Sequence, residues 1–321
     1  MENIEKMENV EDVESLEVLD DADEKVDIEK MKRNQKIKDG FKAGFAYLFL
    51  TICAIFSFLP FYWMIISSLK TEYEYREVTP TFFPKEFKWE NYSYILTQNN
   101  SIFGQSFVNT LIIGVVSTLL GVVVIILTAY AFARINFVGK DLLFTIMLAT
   151  MMIPGELYTI TNYVLTVGTF QLADTYTIMI LPFLVSTYYI YLLRNTFKSI
   201  PESLYKAAKV DGCTDMKFLI RVMVPLAAPT LISIILLKFI ATWNSYIWPQ
   251  LVNGKEYYLI SNWMTTSFMN DGVLYPKFSK TESLTTLRMA AACVVSMPLF
   301  VLFLFFRKYI MQGVSKSGTK G

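Results

Sequence analysis

The chain has 321 residues, 54% of them hydrophobic and only 18% charged, with a net charge of +1 and a mean hydropathy of +0.40. A soluble core of this size does not need so much apolar surface, and several runs pass the roughly 18 apolar residues expected of a membrane-spanning helix. With no histidine and three scattered cysteines, Cys53, Cys213 and Cys293, His-based triads, disulfide frameworks and most zinc sites are excluded, and without a large basic domain nucleic acid is not an expected partner.

Residues 2–29 hold thirteen acids and two bases, which predicts a solvated tail, with a short partner-binding helix as the alternative. Lys30, Lys32, Arg33, Lys36, Lys38 and Lys42 then stand directly before the first apolar run, 44–68. The positive-inside rule places this end in the cytoplasm, and the run starts too late and is too long for a cleaved signal peptide. The stretch 70–104, slightly acidic and carrying Trp89 and Tyr92, suits the outer face. A second span is predicted over 107–133, closed by Arg134. The third, over 142–167, is interrupted at Pro154-Gly155, and the fourth, over 176–193, contains Pro182 and ends at Arg194.

The polar segment 195–225 follows, with Lys198, Lys206, Lys209, Lys217 and Arg221. Ser199 and Glu202 have the spacing of a capping box, with Pro201 in the first turn. Leu204, Ala207, Ala208 and Asp211 recur at helical spacing, Gly212 can take the left-handed conformation that ends a helix, and Thr214 offers a second N-cap. A second short helix is expected from about Asp215 to Met223, ended by Pro225. A fifth span over 226–247, a polar and aromatic outer loop over 249–284, and a sixth span over 289–306 ending at Arg307 and Lys308 complete the chain. The expectation is an all-α integral membrane protein with six transmembrane helices and both ends in the cytoplasm. It comprises residues 1–43 as an acidic tail and basic juxtamembrane segment, 44–310 as the membrane domain, and 311–321 as a short tail. No internal repeat supports an inverted-repeat secondary transporter.

Glu156 and Lys238 fall near the middle of the third and fifth spans, about 14 and 12 residues from the cytoplasmic ends, or roughly 20 Å deep at about 1.5 Å per residue. Intramembrane charges face a bundle interior or a water-filled path. The two are therefore expected to line a permeation cavity or to face each other, as a structural ion pair or as contacts for a polar solute. Pro60, Pro154, Pro182 and Pro298 each interrupt a predicted span. Tyr188, Tyr189, Tyr191, Trp243 and Tyr246 suit sugar stacking, but also the aromatic belts found at span ends.

The segment 195–225 resembles the EAA loop of the transmembrane subunits of bacterial ABC importers. That pattern is E-A-A, three residues, G, nine residues, I-x-L-P, and it aligns here as Lys206-Ala207-Ala208, Gly212, and Val222-Met223-Val224-Pro225. Asp211-Gly212 fits the common D-G form and Pro229 a frequent following proline, whereas Lys206 stands where the pattern has Glu. Pro201-Glu202-Ser203-Leu204, Trp243-Asn244 and Trp248-Pro249 are similar to the carbohydrate-uptake type. The tail, Gln312-Gly313-Val314-Ser315 to Lys320-Gly321, is similar to that of the maltose-system inner permease.

The resemblance implies a type I ABC importer transmembrane domain, a non-catalytic permease subunit that forms half of a pathway for a sugar or oligosaccharide. Its implied partners are a second permease in a heterodimer, a cytoplasmic ATPase dimer, an extracytoplasmic solute-binding protein and membrane lipid. Glu202, Leu204, Lys206, Ala207, Ala208, Asp211 and Gly212 would couple it to the ATPase. Glu156, Lys238, Trp243 and Asn244 are the candidate pathway residues. The chain carries no P-loop, so the ATP is hydrolysed by partners, and no cofactor or metal is expected. The alternatives are a permease for another polar solute, or a secondary transporter or channel without ATPase partners.

Overall fold

The computed structural model describes residues 35, 38, 40–97, 100–269 and 285–315; the acidic tail, most of the basic segment, the loop part 270–284 and the end 316–321 lie outside the described residues. The chain divides into two compact units, Met1–Trp63 and Met64–Gly321. Described residues of the first lie almost entirely in helix α1, Gly40–Ser68, whose Phe45, Leu48, Phe49, Ile52, Ile55, Phe56 and Leu59 are exposed. Side chains this apolar all round suit a lipid or protein surrounding rather than water.

The second unit is built on α4, Asn100–Arg134. Thr71 caps the short α2, Glu72–Tyr75, by accepting from the Glu74 N–H, and α3, Glu90–Thr97, follows. The buried residues of α4, Ile113, Ser117, Thr118, Val122, Ile125 and Ala129, recur three and four apart and define one face. Much of that face is small or hydroxylated, the composition that lets helices approach closely within a membrane. Gly114 and Gly121 sit on it two turns apart. A Cβ at Gly114 would stand 2.8 Å from the Phe239 ring, and one at Gly121 2.2 Å from Cε of Lys238. Hydrogen at these two positions is what allows α4 to meet α12, Ala228–Trp243.

Three breaks shape the remainder. The segments Lys140–Met152 and Gly155–Thr169 meet at 94°, Tyr176–Phe183 and Thr187–Ser199 at 48°, and Asp215–Leu226 and Ala228–Trp243 at 81°. They hold α5, Lys140–Ala149, α6, Gly155–Tyr163, α7, Tyr176–Ile180, and α8, Thr187–Ser199. Prolines 154, 182 and the pair 225 and 229 stand at or beside these breaks, where each removes a backbone donor. Pro60 and Pro298, by contrast, lie inside unbroken helices, α1 and α15, Thr285–Ser315, so they do not interrupt their spans. Among the described residues there are three helices long and apolar enough to cross a membrane, or six if each bent pair is one span. No strand is present among those residues.

The expected outer loop is only partly a loop. It contains most of α13, Ile247–Val252, and α14, Ile260–Met269, and buries Val252, Leu259, Ile260 and Trp263. The segment between them is held to α4: Asn109 Nδ2 donates to the Glu256 and Tyr258 carbonyls at 2.8 and 3.2 Å, and the Ile260 N–H to Thr110 Oγ1 at 2.8 Å. Backbone groups next to an apolar helix need such partners, and Asn and Thr on α4 supply them.

Candidate functional site

The elbow of residues 199–225 is a helix, a turn and a second helix. Its first helix, α9, runs Glu202–Val210 with Pro201 as N-cap and no side-chain cap bond. The capping box expected from Ser199 and Glu202 does not form. Ile200, which precedes a proline, is extended (φ −72°, ψ 128°), so the helix boundary falls at Ile200-Pro201. That leaves Ser199 as the last residue of α8, with its Oγ donating to the Thr196 carbonyl at 2.8 Å. Glu202 instead pairs with Lys206, one turn on, at 3.4 Å.

At the far end, Gly212 takes φ 71°. The Cys213 N–H reaches the Ala208 carbonyl at 2.9 Å and the Gly212 N–H the Lys209 carbonyl at 3.1 Å, the two bonds of a Schellman termination. Thr214 then caps α10, Asp215–Phe218, by accepting from the Lys217 N–H. The helix does not stop at Pro225: it continues through a π-helical stretch, Leu219–Met223, into α11, Val224–Leu226, before the bend at Ala227.

Asp215, which sequence reasoning missed, fastens the elbow. It accepts from Tyr205 Oη at 2.8 Å, from Tyr130 Oη of α4 at 3.2 Å and from Lys209 Nζ at 3.0 Å. The bond to Asp215 holds the pKa of both Lys209 and Tyr205 above its ordinary value. Beneath it, buried Phe218, Leu219 and Met223 pack with Tyr130, Ile190, Leu193 and Phe197, and Ala208 packs partly against them. Arg134 joins in by donating to the carbonyls of Phe197 and Ile200 at the end of α8. Outward the elbow is different. Leu204, Val210 (87% exposed), Met216 and Ile220 (60% exposed) are bare apolar side chains, and Ala207, Lys206 and Asp211 share that exposure. Of the two alanines, Ala208 thus serves the elbow's own packing and Ala207 stays free.

A second feature is a cavity of about 470 Å³ lined by residues of α4, α8 and α12 and by the broken segment around Pro182. Lys238 and Trp248 line it, with Tyr188 and Tyr189 from α8 and the hydroxyl-bearing Ser117, Ser186, Thr242 and Ser245. Lys238 is 5% exposed and donates to the Phe183 carbonyl at 2.6 Å. Trp248 donates to the Ile178 carbonyl at 3.0 Å and stands edge-on to Phe183.

The structure separates the remaining candidates. Glu156 lies exposed in the first turn of α6, away from this lining, and forms no ion pair with Lys238; the right-angled break at Pro154 carries it off the line of its span. Trp243 is not a lining residue. It is buried among Ile95, Ile260, Trp263 and Leu287, edge-on to Phe107 at 5.9 Å. Asn244 is the exposed C-cap of α12, its N–H donating to the Ile240 carbonyl. Tyr191 stacks on Phe144. Among the described residues no group of His, Cys, Asp or Glu gathers to hold a metal ion.

A broken, apolar helical unit with a helix–Gly–helix elbow matches known proteins at the level of family. The sequence profile described as binding-protein-dependent transport system inner membrane component matches residues 121–316, more than half of the chain. The chain belongs to this family. The permease match takes in the elbow, Lys238 and α15, and leaves α1 to α3 outside it. Its relatives include the arabinooligosaccharides transport system permease protein AraQ of Bacillus subtilis, 29% identical over 277 residues, covering 85% of this chain and 94% of the relative. The trehalose transport system permease protein SugB of Mycobacterium tuberculosis is 30% identical over 275 residues, 84% and 95% of the two chains. The same fold is found in a bacterial ABC transporter involved in the import of alginate, with a TM-score of 0.73 at 23% identity over 85% of this chain and 97% of that one. The expected fold class, a mostly helical type I ABC importer transmembrane domain, therefore stands.

Proposed function

We propose that this permease forms half of a translocation pathway for a sugar or oligosaccharide in an ATP-driven importer, and that its elbow docks onto a cytoplasmic ATPase. In support, relatives of nearly the same length carry oligosaccharide and disaccharide transport names. The observation that carries the coupling role is the exposure of the apolar side chains Leu204, Val210, Met216 and Ile220 on an elbow fastened from behind by Asp215. Apolar side chains exposed on a fastened helical elbow are what a partner groove recognises. The basic residues of the elbow and of the juxtamembrane segment put it, with both termini, on the cytoplasmic side. A second, different permease and an extracytoplasmic solute-binding protein complete the assembly, with the region around 249–284 as the contact for the latter.

The test is to purify the chain from its native membrane and assay uptake. A co-purifying nucleotide-binding subunit and vanadate-sensitive uptake are expected, and Leu204→Asp should abolish uptake while leaving the permease in the membrane. Uptake that is indifferent to vanadate, with no such subunit bound, would instead mean a secondary transporter or channel.

A further inference from the structure

Lys238 is a basic side chain buried in the middle of an apolar helix, and among the described residues no Asp or Glu stands against it. Its one hydrogen bond among the described residues goes to the Phe183 carbonyl at 2.6 Å, which occupies one of three N–H donors and supplies no full charge. No Asp or Glu lines the cavity, and Glu156, the other charge predicted within a span, makes no pair with it. A buried ammonium left in this condition is costly and persists where something supplies an opposite charge.

The chain also makes room for this particular side chain. A Cβ at position 121 would lie 2.2 Å from Cε and 2.9 Å from Nζ of Lys238, so the amine end occupies the space left by Gly121. Around it the lining is that of a small-molecule site. The volume of about 470 Å³ lies within the roughly 300–1,000 Å³ typical of ligand pockets. Ser117, Ser186, Thr242 and Ser245 offer hydroxyls, and Tyr188, Tyr189 and Trp248 line it with aromatic rings.

We propose that this cavity is an anion-recognising solute site, with Lys238 seated against Gly121 as its charged contact, and that the cargo is a polyhydroxylated solute bearing a carboxylate or phosphate. The ammonium binds the anionic group, the hydroxyls bind those of the solute, and the aromatic faces take its apolar ring surface. This rests on the permease reading and narrows the cargo from sugars in general to acidic ones.

The test uses the transporter complex purified without its solute-binding protein, so that selectivity belongs to the membrane part. Calorimetric titration compares a glucuronate-containing disaccharide with its methyl ester, and glucose 6-phosphate with glucose. At least one acidic member should bind about tenfold or more tightly than its neutral counterpart, a charge-assisted contact against a neutral one. Which acidic member gains separates carboxylate from phosphate cargo. Lys238→Met should erase the difference, and Gly121→Ala, which displaces the amine without removing it, should reduce it. Equal affinity for acidic and neutral probes in the wild type, or no binding of any of them, overturns the proposal without need of a variant that folds. So does a preference that survives Lys238→Met. The permease reading fails separately, through vanadate-insensitive uptake.

Discussion

Gly212 shows how much one backbone angle can decide. A Cβ there would meet no atom within 4 Å, so a substitution costs nothing by crowding and everything by conformation. At φ 71° a β-branched residue pays about 1–2 kcal/mol and Asn less, because Asn visits the left-handed region more readily. Gly212→Val should therefore lower the thermal unfolding midpoint of the purified permease measurably more than Gly212→Asn. Trp243 and Asn244, neighbours in sequence and paired as pathway candidates, should part in the same assay. Trp243→Ala empties the packing beside Trp263 and Ile260 and should cost about 3–5 kcal/mol, whereas Asn244→Ala, at an exposed helix end, should stay within about 0.5 kcal/mol. Sequence spacing located Lys238 in the interior but not Glu156. Counting residues along a span assumes a straight helix, and the 94° break next to Glu156 removes that assumption.

At the scale of elements, the elbow and two of the three breaks were legible because Gly, Pro and Thr act locally. The capping box was misread for an equally local reason, since the constraint on the residue before Pro201 outweighed the attraction of a Ser–Glu spacing. The outer loop was misread because its average polarity hid Ile260 and Trp263, whose burial depends on α4 and α15, far away in sequence. The contact of α4 with α12 could not be read at all: a glycine in an apolar run carries no sign of which helix it faces. That contact makes a prediction. Gly114→Ala places a Cβ 2.8 Å from the Phe239 ring and should destabilise the permease by about 1–3 kcal/mol. Phe239→Leu should recover part of the loss in the double variant, giving a coupling of at least about 0.5 kcal/mol in a thermal-unfolding cycle. Additive losses would mean that the two helices do not meet there.

Across the whole molecule, the charge reversed within the EAA-like segment becomes a question about the partner. Lys206 and Glu202 pair at 3.4 Å with both side chains about 70% exposed, and such a pair adds only about 0.3–0.5 kcal/mol to a helix. Lys206 is thus nearly free of duties within its own chain, and its charge matters through whatever surface meets α9. If the ATPase presents an acid there, Lys206→Gln lowers coupled uptake and Lys206→Glu lowers it further, by about tenfold, with the loss shrinking as salt screens the repulsion. If it presents a neutral pocket, Lys206→Gln is tolerated and Lys206→Glu is not. In both cases the unfolding midpoint of the isolated permease moves little, because two like charges one turn apart on an exposed face repel weakly. ATP-driven uptake and ATPase rate, measured together against ionic strength, distinguish the two surfaces. A large gain in coupling from Lys206→Glu would mean that the ATPase groove has kept a base, and that Lys206 is tolerated rather than matched.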